Sequence, residues 1–277
     1  MIFSDLELAR RLEGAEANAN ARFVEARARV QPDVQARWIE VGGAYAMYDG
    51  VRSPCTQSFG LGMFQTPRSA DLDEIETFFR SRGAPVMHEV SPLAAKETWA
   101  LMGERRYRPV EFSSVLFRPL GAEAMTVESD PRVEVRVAGP AEHETWAKVV
   151  YEGWRQHIDF ADLILDLARV TAARDNSPLF LAELDGTPVA GGALALHGEV
   201  AILAGAATVP AARRQGAQNA LLHARLRYAR EAGCDIAMIC AEPGSASQRN
   251  AERQGFRIAY TRTKWELPSD AERRPEL

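Results

Sequence analysis

The stretch Val200 to Gly233, VAILAGAATVPAARRQGAQNALLHARLRYAREAG, governs how the rest of the chain is read. Val200 to Val209 is an apolar run with the length and composition of a buried strand. Pro210 and the loop Ala211 to Ala217 lead into an amphipathic helix. In it Leu222, Leu226 and Ala229 recur at helical spacing, and Gly233 supplies a C-terminal stop. The chemistry sits in the turn. Arg213, Arg214, Gln215, Gly216, Ala217, Gln218 and Asn219 bring two fixed positive charges and a residue without a side chain to the first helical N–H groups, which have no intrahelical partner. Backbone donors, the positive end of the helix dipole and the arginines together can hold a diphosphate, and Gly216 lets its oxygens approach the main chain. A basic loop before a helix equally describes a solvated turn, so the surrounding sequence has to separate the two.

In that surrounding sequence the strand ends at Thr208, Val209 and Pro210, and Arg213 and Gly216 follow. The arrangement resembles the central motif of the GCN5-related N-acetyltransferases (GNAT), a strand ending at Val-x-Pro followed by a Q/R-x-x-G-x-G/A loop. Gln218 departs from it, standing where the family has Gly or Ala, and would either add a hydrogen bond to the diphosphate or crowd it. The resemblance implies an α/β fold with a mixed, largely antiparallel sheet flanked by helices, and acetyl-CoA as co-substrate. It also implies a strand splayed from its neighbour, with main-chain N–H groups of Ala206, Ala207 and Thr208 holding the pantetheine and serving as oxyanion donors. Small side chains in AGAAT leave room for this; they equally permit close helix packing.

Composition bounds the reading. A chain of 277 residues, 46% hydrophobic and 26% charged, is long enough for two folded domains. A formal charge of -5 argues against nucleic acid as partner, since no basic excess exists to release counterions. Three scattered cysteines, Cys55, Cys234 and Cys240, fit a reducing cytoplasm. Five histidines make no metal-ligand spacing, and no metal is expected. Neither an export signal nor an apolar run of membrane-spanning length is found, so the expectation is a cytoplasmic protein without a membrane partner.

Along the chain, Ser4 to Val30 is predicted to be a long helix with Ser4 and Glu7 as a capping box. Its stripe of Leu8, Leu12, Ala15, Ala19, Phe23, Ala26 and Val30 lies across a sheet or forms the seam of a homodimer. Strands are predicted at Val41 to Tyr48, Thr56 to Phe64 and Pro85 to Val90, with a helix at Asp71 to Arg82. This pattern repeats. Gly42-Gly43-Ala44 matches Gly191-Gly192-Ala193, Gly83 matches Gly233, and Tyr107 matches Phe256, each 149 or 150 residues apart. The copies differ at the turn. Where the second has arginines and Gly216, the first has Arg68, Ser69 and the acids Asp71, Asp73, Glu74 and Glu76, which satisfy a helix dipole and repel a diphosphate. The predicted organisation is a degenerate GNAT-like domain without a cofactor site at 1–120, a linker at 121–131, a catalytic GNAT domain at 132–268 closed by the strand Arg257 to Leu267, and a polar tail at 269–277.

Acetyl transfer to an amine requires a proton to leave an ammonium of pKa near 10.4. Glu242, at the end of the strand after the diphosphate helix, is the first choice of base, with Cys240 beside it and Glu199 and His197 at the neighbouring hairpin as the other candidates. The resemblance places a tyrosine general acid at Ala251 and an asparagine at Gly244, so both are missing; Asn250, Ser245 or Ser247 are left as cofactor contacts. The acceptor pocket of the family lies over the helices after the first strand. Trp146, Val150 and Trp154 share a core face there, which leaves Tyr151, His157 and Asp159 as substrate contacts. The expected function is transfer of acetyl from acetyl-CoA to a primary amine of a small molecule or peptide. The missing tyrosine and asparagine keep a second possibility open, a non-catalytic acyl-CoA-binding or regulatory tandem protein.

Overall fold

The computed structural model describes residues 2–121, 130–155 and 161–269. By packing, the chain forms two units, Met1–Phe117 with Cys240–Leu277, and Arg118–Ile239. Each has a mostly antiparallel sheet flanked by helices. Among the described residues no helix is long and apolar enough to cross a membrane.

The first unit opens with α1, Leu6–Val30. Its cap is Asp5, whose carboxylate accepts the Leu8 N–H at 2.9 Å, and not the Ser4 that the sequence suggested. An aspartate one residue later faces the same orphan donors with a full charge. Leu8, Leu12, Ala15, Ala19, Phe23 and Ala26 are all buried within the unit, while Val30, at the helix end, is exposed and falls off the stripe. The stripe therefore lies on the unit's own sheet and is not a dimer seam. The sheet runs β1 (Arg37–Val41), β2 (Ala44–Tyr48), β3 (Gln57–Phe59), β4 (Val86–Val90), β11 (Arg257–Leu267), β5 (Arg108–Pro119). Helices α2 (Ser69–Arg80), α3 (Lys96–Glu104) and α7 (Ala246–Arg253) complete it.

Two expected strands are shorter than predicted. Val41 to Tyr48 is broken by Gly42 and Gly43, at φ +57° and +77°, which form a two-residue hairpin turn. They are thus not counterparts of Gly191 and Gly192, which lie inside a strand. Thr56 to Phe64 gives only the three residues of β3, because Gly60 and Gly62 also turn the chain at positive φ. The later part of the repeat is well reproduced. α2, β4, α3 and β5 start at Ser69, Val86, Lys96 and Arg108, and α6 (Ala217–Glu231), β10 (Ile236–Ala241), α7 and β11 start at Ala217, Ile236, Ala246 and Arg257.

The strand expected to close the second domain packs in the first unit. β11 pairs antiparallel with β4, Thr263 opposite Val90 through Leu267 opposite Val86, and on its other side with β5. Its polar side chains give the reason. Arg262 is buried and pairs with Glu16 at 2.5 Å, Glu89 at 3.4 Å and Glu13 at 3.5 Å, while the Tyr260 hydroxyl donates to Glu13 at 2.8 Å. Glu13 and Glu16 lie on α1, so the charge complement of β11 is in this unit. Burial pushes the Glu13 carboxyl up to about 7 against the pull of Arg262.

A second buried polar chain crosses the unit. Ser58 Oγ lies 2.6 Å from His88 Nδ1, His88 Nε2 3.0 Å from the Tyr107 hydroxyl, and that hydroxyl donates to Glu76 at 3.2 Å. Since Tyr107 donates to Glu76, its oxygen accepts from His88 Nε2–H, and Ser58 donates to Nδ1. Burial holds His88 neutral, pulling its pKa down to about 3.

The second unit runs β6 (Val133–Val137), α4 (His143–Trp154), α5 (Ala161–Ala172), β7 (Leu179–Leu184), β8 (Thr187–His197), β9 (Val200–Thr208), α6 (Ala217–Glu231) and β10 (Ile236–Ala241). The chain leaves this unit within β10. The strand order is β10, β9, β8, β7, β6, with only β9 and β10 parallel. Trp146, Val150, Leu179, Leu181, Ala193 and Ala207 form one apolar cluster, and Trp154 packs against it. Both tryptophans are core residues, as their spacing indicated. The Trp146 indole also donates to the Gly192 carbonyl at 3.3 Å.

Candidate active site

The second unit holds the features that the Val200 to Gly233 stretch predicts. β9 and β10 pair only from Val200 opposite Ile236 to Ile202 opposite Met238. Past that point the strands part, and Leu203 to Thr208 has β8 alone as a partner. The β8–β9 register also slips. Gly191 faces Ala207 but Ala193 faces Ala204, so β9 carries one extra residue, and Gly205 stands there at φ +59°. A bulge of this kind bends a strand and re-aims the groups after it. Here those groups are the main chain of Ala206, Ala207 and Thr208, on an edge of β9 that no strand covers among the described residues.

The loop after β9 brings the chain to the start of α6. Gly216 is the N-cap at φ +85°, Arg214 is also left-handed at φ +64°, and no side chain caps the helix. The contrast within the molecule is informative. Asp5 caps α1, Ser245 caps α7, and in the first unit Asp71 accepts the Arg68 N–H at 2.8 Å at the start of α2. The counterpart helix of the first unit thus begins with its own carboxylate, whereas α6, like α3 and α4, begins without a side-chain cap among the described residues.

Within the loop the two arginines differ. Arg214 is exposed, whereas Arg213 is half-buried and donates to Gly153 O at 3.0 Å and Thr208 O at 3.4 Å. Arg213 therefore braces the loop against α4 and β9, a use of its charge that the motif did not reveal. Gln218 accepts from the Thr208 hydroxyl at 3.1 Å, and Gln215 donates to Ala211 O at 3.2 Å. The Gln218 side chain is thereby tied back to β9. Ala217 is buried and Asn219 exposed.

Of the acceptor candidates, Tyr151 is half-buried on α4, in this unit. His157 and Asp159 lie outside the described residues. Glu242 and Asn250 belong to the other packing unit. Glu242 is exposed one residue past β10, and Asn250 is half-buried on α7. Cys240 is not a ready thiolate: burial raises its pKa well above the usual thiol value, Glu16 adds to the rise, and its Sγ lies 3.4 Å from a Glu16 oxygen. Among the described residues no cluster of His, Cys, Asp and Glu could hold a metal ion.

Two residues of this region escaped the sequence reading. Gly153 sits in α4 where a Cβ would lie 2.5 Å from the Ala207 Cβ and 3.0 Å from the Thr208 nitrogen. A glycine inside a helix, flanked by Glu152 and Trp154, was the available signal. Gly153→Ala is expected to lower stability by about 1–3 kcal/mol, because backbone atoms must move to admit the methyl group. Thermal unfolding checks this, and an unchanged midpoint would show that α4 can draw back from β9 freely. The other missed residue, Arg225, gave no signal, since an arginine in a helix reads as a solvated one.

Residues 142–256 match the model of the acetyltransferase (GNAT) family, and this part of the chain is a GNAT domain. A GCN5-related N-acetyltransferase from Kribbella flavida is similar over 88% of this chain and 95% of its own, with 19% identity and a TM-score of 0.64. A GCN5-related N-acetyltransferase from Sphaerobacter thermophilus is similar over 77% of this chain and 72% of its own, with 15% identity and a TM-score of 0.56. A tandem GNAT protein from the clavulanic acid biosynthesis pathway is similar over 83% of this chain and 80% of its own, with 13% identity and a TM-score of 0.59. At these identities the likeness is one of fold. No curated protein matches the chain.

Proposed function

We propose that the protein is an acetyl-CoA-dependent N-acetyltransferase acting on a primary amine of a small molecule or peptide. The observation that carries this reading is the uncapped start of α6 directly after a strand that parts from its parallel neighbour. The residues present fit the co-substrate. Open N–H groups at Gly216 to Asn219, with the exposed Arg214, suit a diphosphate, and the uncovered edge of β9 suits an amide-bearing chain. Acetyl-CoA supplies an acyl group on a good leaving thiol.

The chain's own residues do the rest. Main-chain donors at Ala206, Ala207 and Thr208 orient the acyl carbonyl and stabilise charge on its oxygen. Tyr151, with His157 and Asp159, is proposed to contact the amine. Glu242 is proposed as the group that takes the ammonium proton, on its place one residue after β10, and Asn250 as a further cofactor contact. Ala251 stands at the family's tyrosine position, so the thiolate leaves without a dedicated acid.

Titration calorimetry with acetyl-CoA, followed by a thiol-release assay over a panel of primary amines, tests this. Binding with amine-dependent thiol release is the expected result. Binding without release for any amine would favour a non-catalytic acyl-CoA-binding protein, the reading that the missing tyrosine keeps in view.

A further inference from the structure

Arg225 is buried at 2% exposure in α6, two turns beyond Gly216. No carboxylate pairs with it among the described residues. Its guanidinium is spent on main-chain oxygens: Nη1 donates to Ala193 O at 3.1 Å and to Ala204 O at 3.4 Å, and Nε to Leu221 O at 3.4 Å. Ala193 and Ala204 face each other across β8 and β9 at the edge of the register slip. The arginine thus holds both sides of the bulge just before Gly205. β8 is shaped to allow it, since a Cβ on Gly192 would lie 3.1 Å from the guanidinium carbon.

A buried cation without a counter-charge is an expensive way to fill a core, and an apolar side chain of similar volume often stabilises such a site. The expense shows in the titration as well, burial pulling the guanidinium pKa down to about 10. What Arg225 provides in return is a rigid link from the helix that starts at Gly216 to the strand segment Ala204 to Thr208. It also polarises the Ala204–Gly205 peptide, whose N–H belongs to Gly205.

We propose that Arg225 is a positioning residue of the acyl-transfer site, clamping the β9 bulge so that the main chain of Ala206 to Thr208 is aimed at the acyl carbonyl. The clamp itself is a property of the fold, and its role in acyl transfer rests on the acetyltransferase reading above.

The test uses Arg225→Met, Arg225→Lys and Gly192→Ala in the full chain, with thermal unfolding, backbone hydrogen exchange, acetyl-CoA titration, and separate kcat and KM. Arg225→Met is expected to keep a native unfolding midpoint while amides of Gly205 to Thr208 exchange at least tenfold faster. Its kcat should fall at least tenfold and by more than its affinity for acetyl-CoA, which the start of α6 still supplies in part, with Arg225→Lys recovering part of the loss. Should Arg225→Met not fold, Gly192→Ala displaces the guanidinium by a few tenths of an ångström, and the same pattern is expected in smaller measure. Unchanged exchange at Gly205 to Thr208 overturns the clamp. Faster exchange with unchanged kcat overturns its role in transfer. If the wild type neither binds acetyl-CoA nor releases thiol, yet exchange rises in the variants, the clamp stands and the acetyltransferase reading falls.

Discussion

In Gly216→Glu, titration with acetyl-CoA is expected to show affinity reduced at least about 100-fold, whereas Gly216→Asn retains it to within about threefold. Both variants place a side chain at φ +85°, a conformation costing roughly 1–2 kcal/mol for most residues and less for asparagine. Both should therefore unfold at somewhat lower temperature. The space itself is open, the nearest atom to a new Cβ being the Asp130 Cβ at 3.9 Å. What differs is charge. A carboxylate at the N-cap occupies the same N–H groups and helix dipole that the diphosphate needs; at α2 the carboxylate of Asp71, three residues after the N-cap, likewise sits at the positive end of the dipole. Two like charges about 4 Å apart near a protein surface repel by roughly 4 kcal/mol, ample for a 100-fold loss. Equal binding by Gly216→Glu and wild type would remove the helix start as the diphosphate site.

In the first unit, replacing His88 or Glu13 is expected to uncover a steep dependence of stability on pH, of opposite sign for the two, that the wild type hides because the groups compensate. On the acid side, His88 binds a proton near pH 6.5 when unfolded but only near 3 when folded. Between those values the unfolded chain holds more protons, so stability is full above 6.5 and falls as pH drops. The loss amounts to roughly 3 kcal/mol from pH 6.5 to 4. On the alkaline side Glu13 works the other way. Its folded pKa is raised to about 7 from 4.5, so the folded chain holds the extra proton between those values and stability falls as pH rises. That loss is roughly 2–3 kcal/mol from pH 5 to 8. Urea unfolding across pH 4 to 8 checks both limbs. Between about pH 4.5 and 6.5 the two slopes oppose and nearly cancel, so the variants separate them: Glu13→Gln should leave stability rising by roughly 3 kcal/mol from pH 4 to 6.5, and His88→Gln should leave it falling by roughly 2–3 kcal/mol from pH 5 to 8. A level profile in either variant would mean that the remaining group is not held in its buried state.

The part of the fold legible in the sequence is the part specified by local pattern. The run Val200 to Val209, the glycine at 216 and the stop at Gly233 fix a strand, a turn and a helix by composition over short distances. The acids Asp71 to Glu76 likewise announce a helix start that needs no ligand. What stayed hidden depends on partners far apart in the chain. Nothing local shows that Arg213 spends its charge on the Gly153 carbonyl, or that Arg225 is buried. The glycine pair at 42–43 and that at 191–192 read alike, yet one turns a hairpin at positive φ and the other lies flat between Trp146 and Arg225. β11 misled for the same reason: its pattern is that of a strand, but its place is set by Glu13 and Glu16 on a helix some 250 residues earlier.

That placement of β11 bears on how the protein is made. The first unit contains two strands, β4 and β5, that are synthesised early and held apart by a strand synthesised last among the described elements. While the intervening chain leaves the ribosome, β4 and β5 wait with facing edges unfilled, and the carboxylates of Glu13 and Glu16 lack their arginine. The N-terminal half therefore cannot mature ahead of the C-terminal half, contrary to the usual order in which domains fold as they emerge. A nascent chain stopped in the 121–131 segment would expose sheet edges of the kind that chaperones cover and aggregates recruit. Two copies of one fold, once joined in this way, are no longer separable units of biosynthesis, since residue 262 must be made before residue 13 finds its charge.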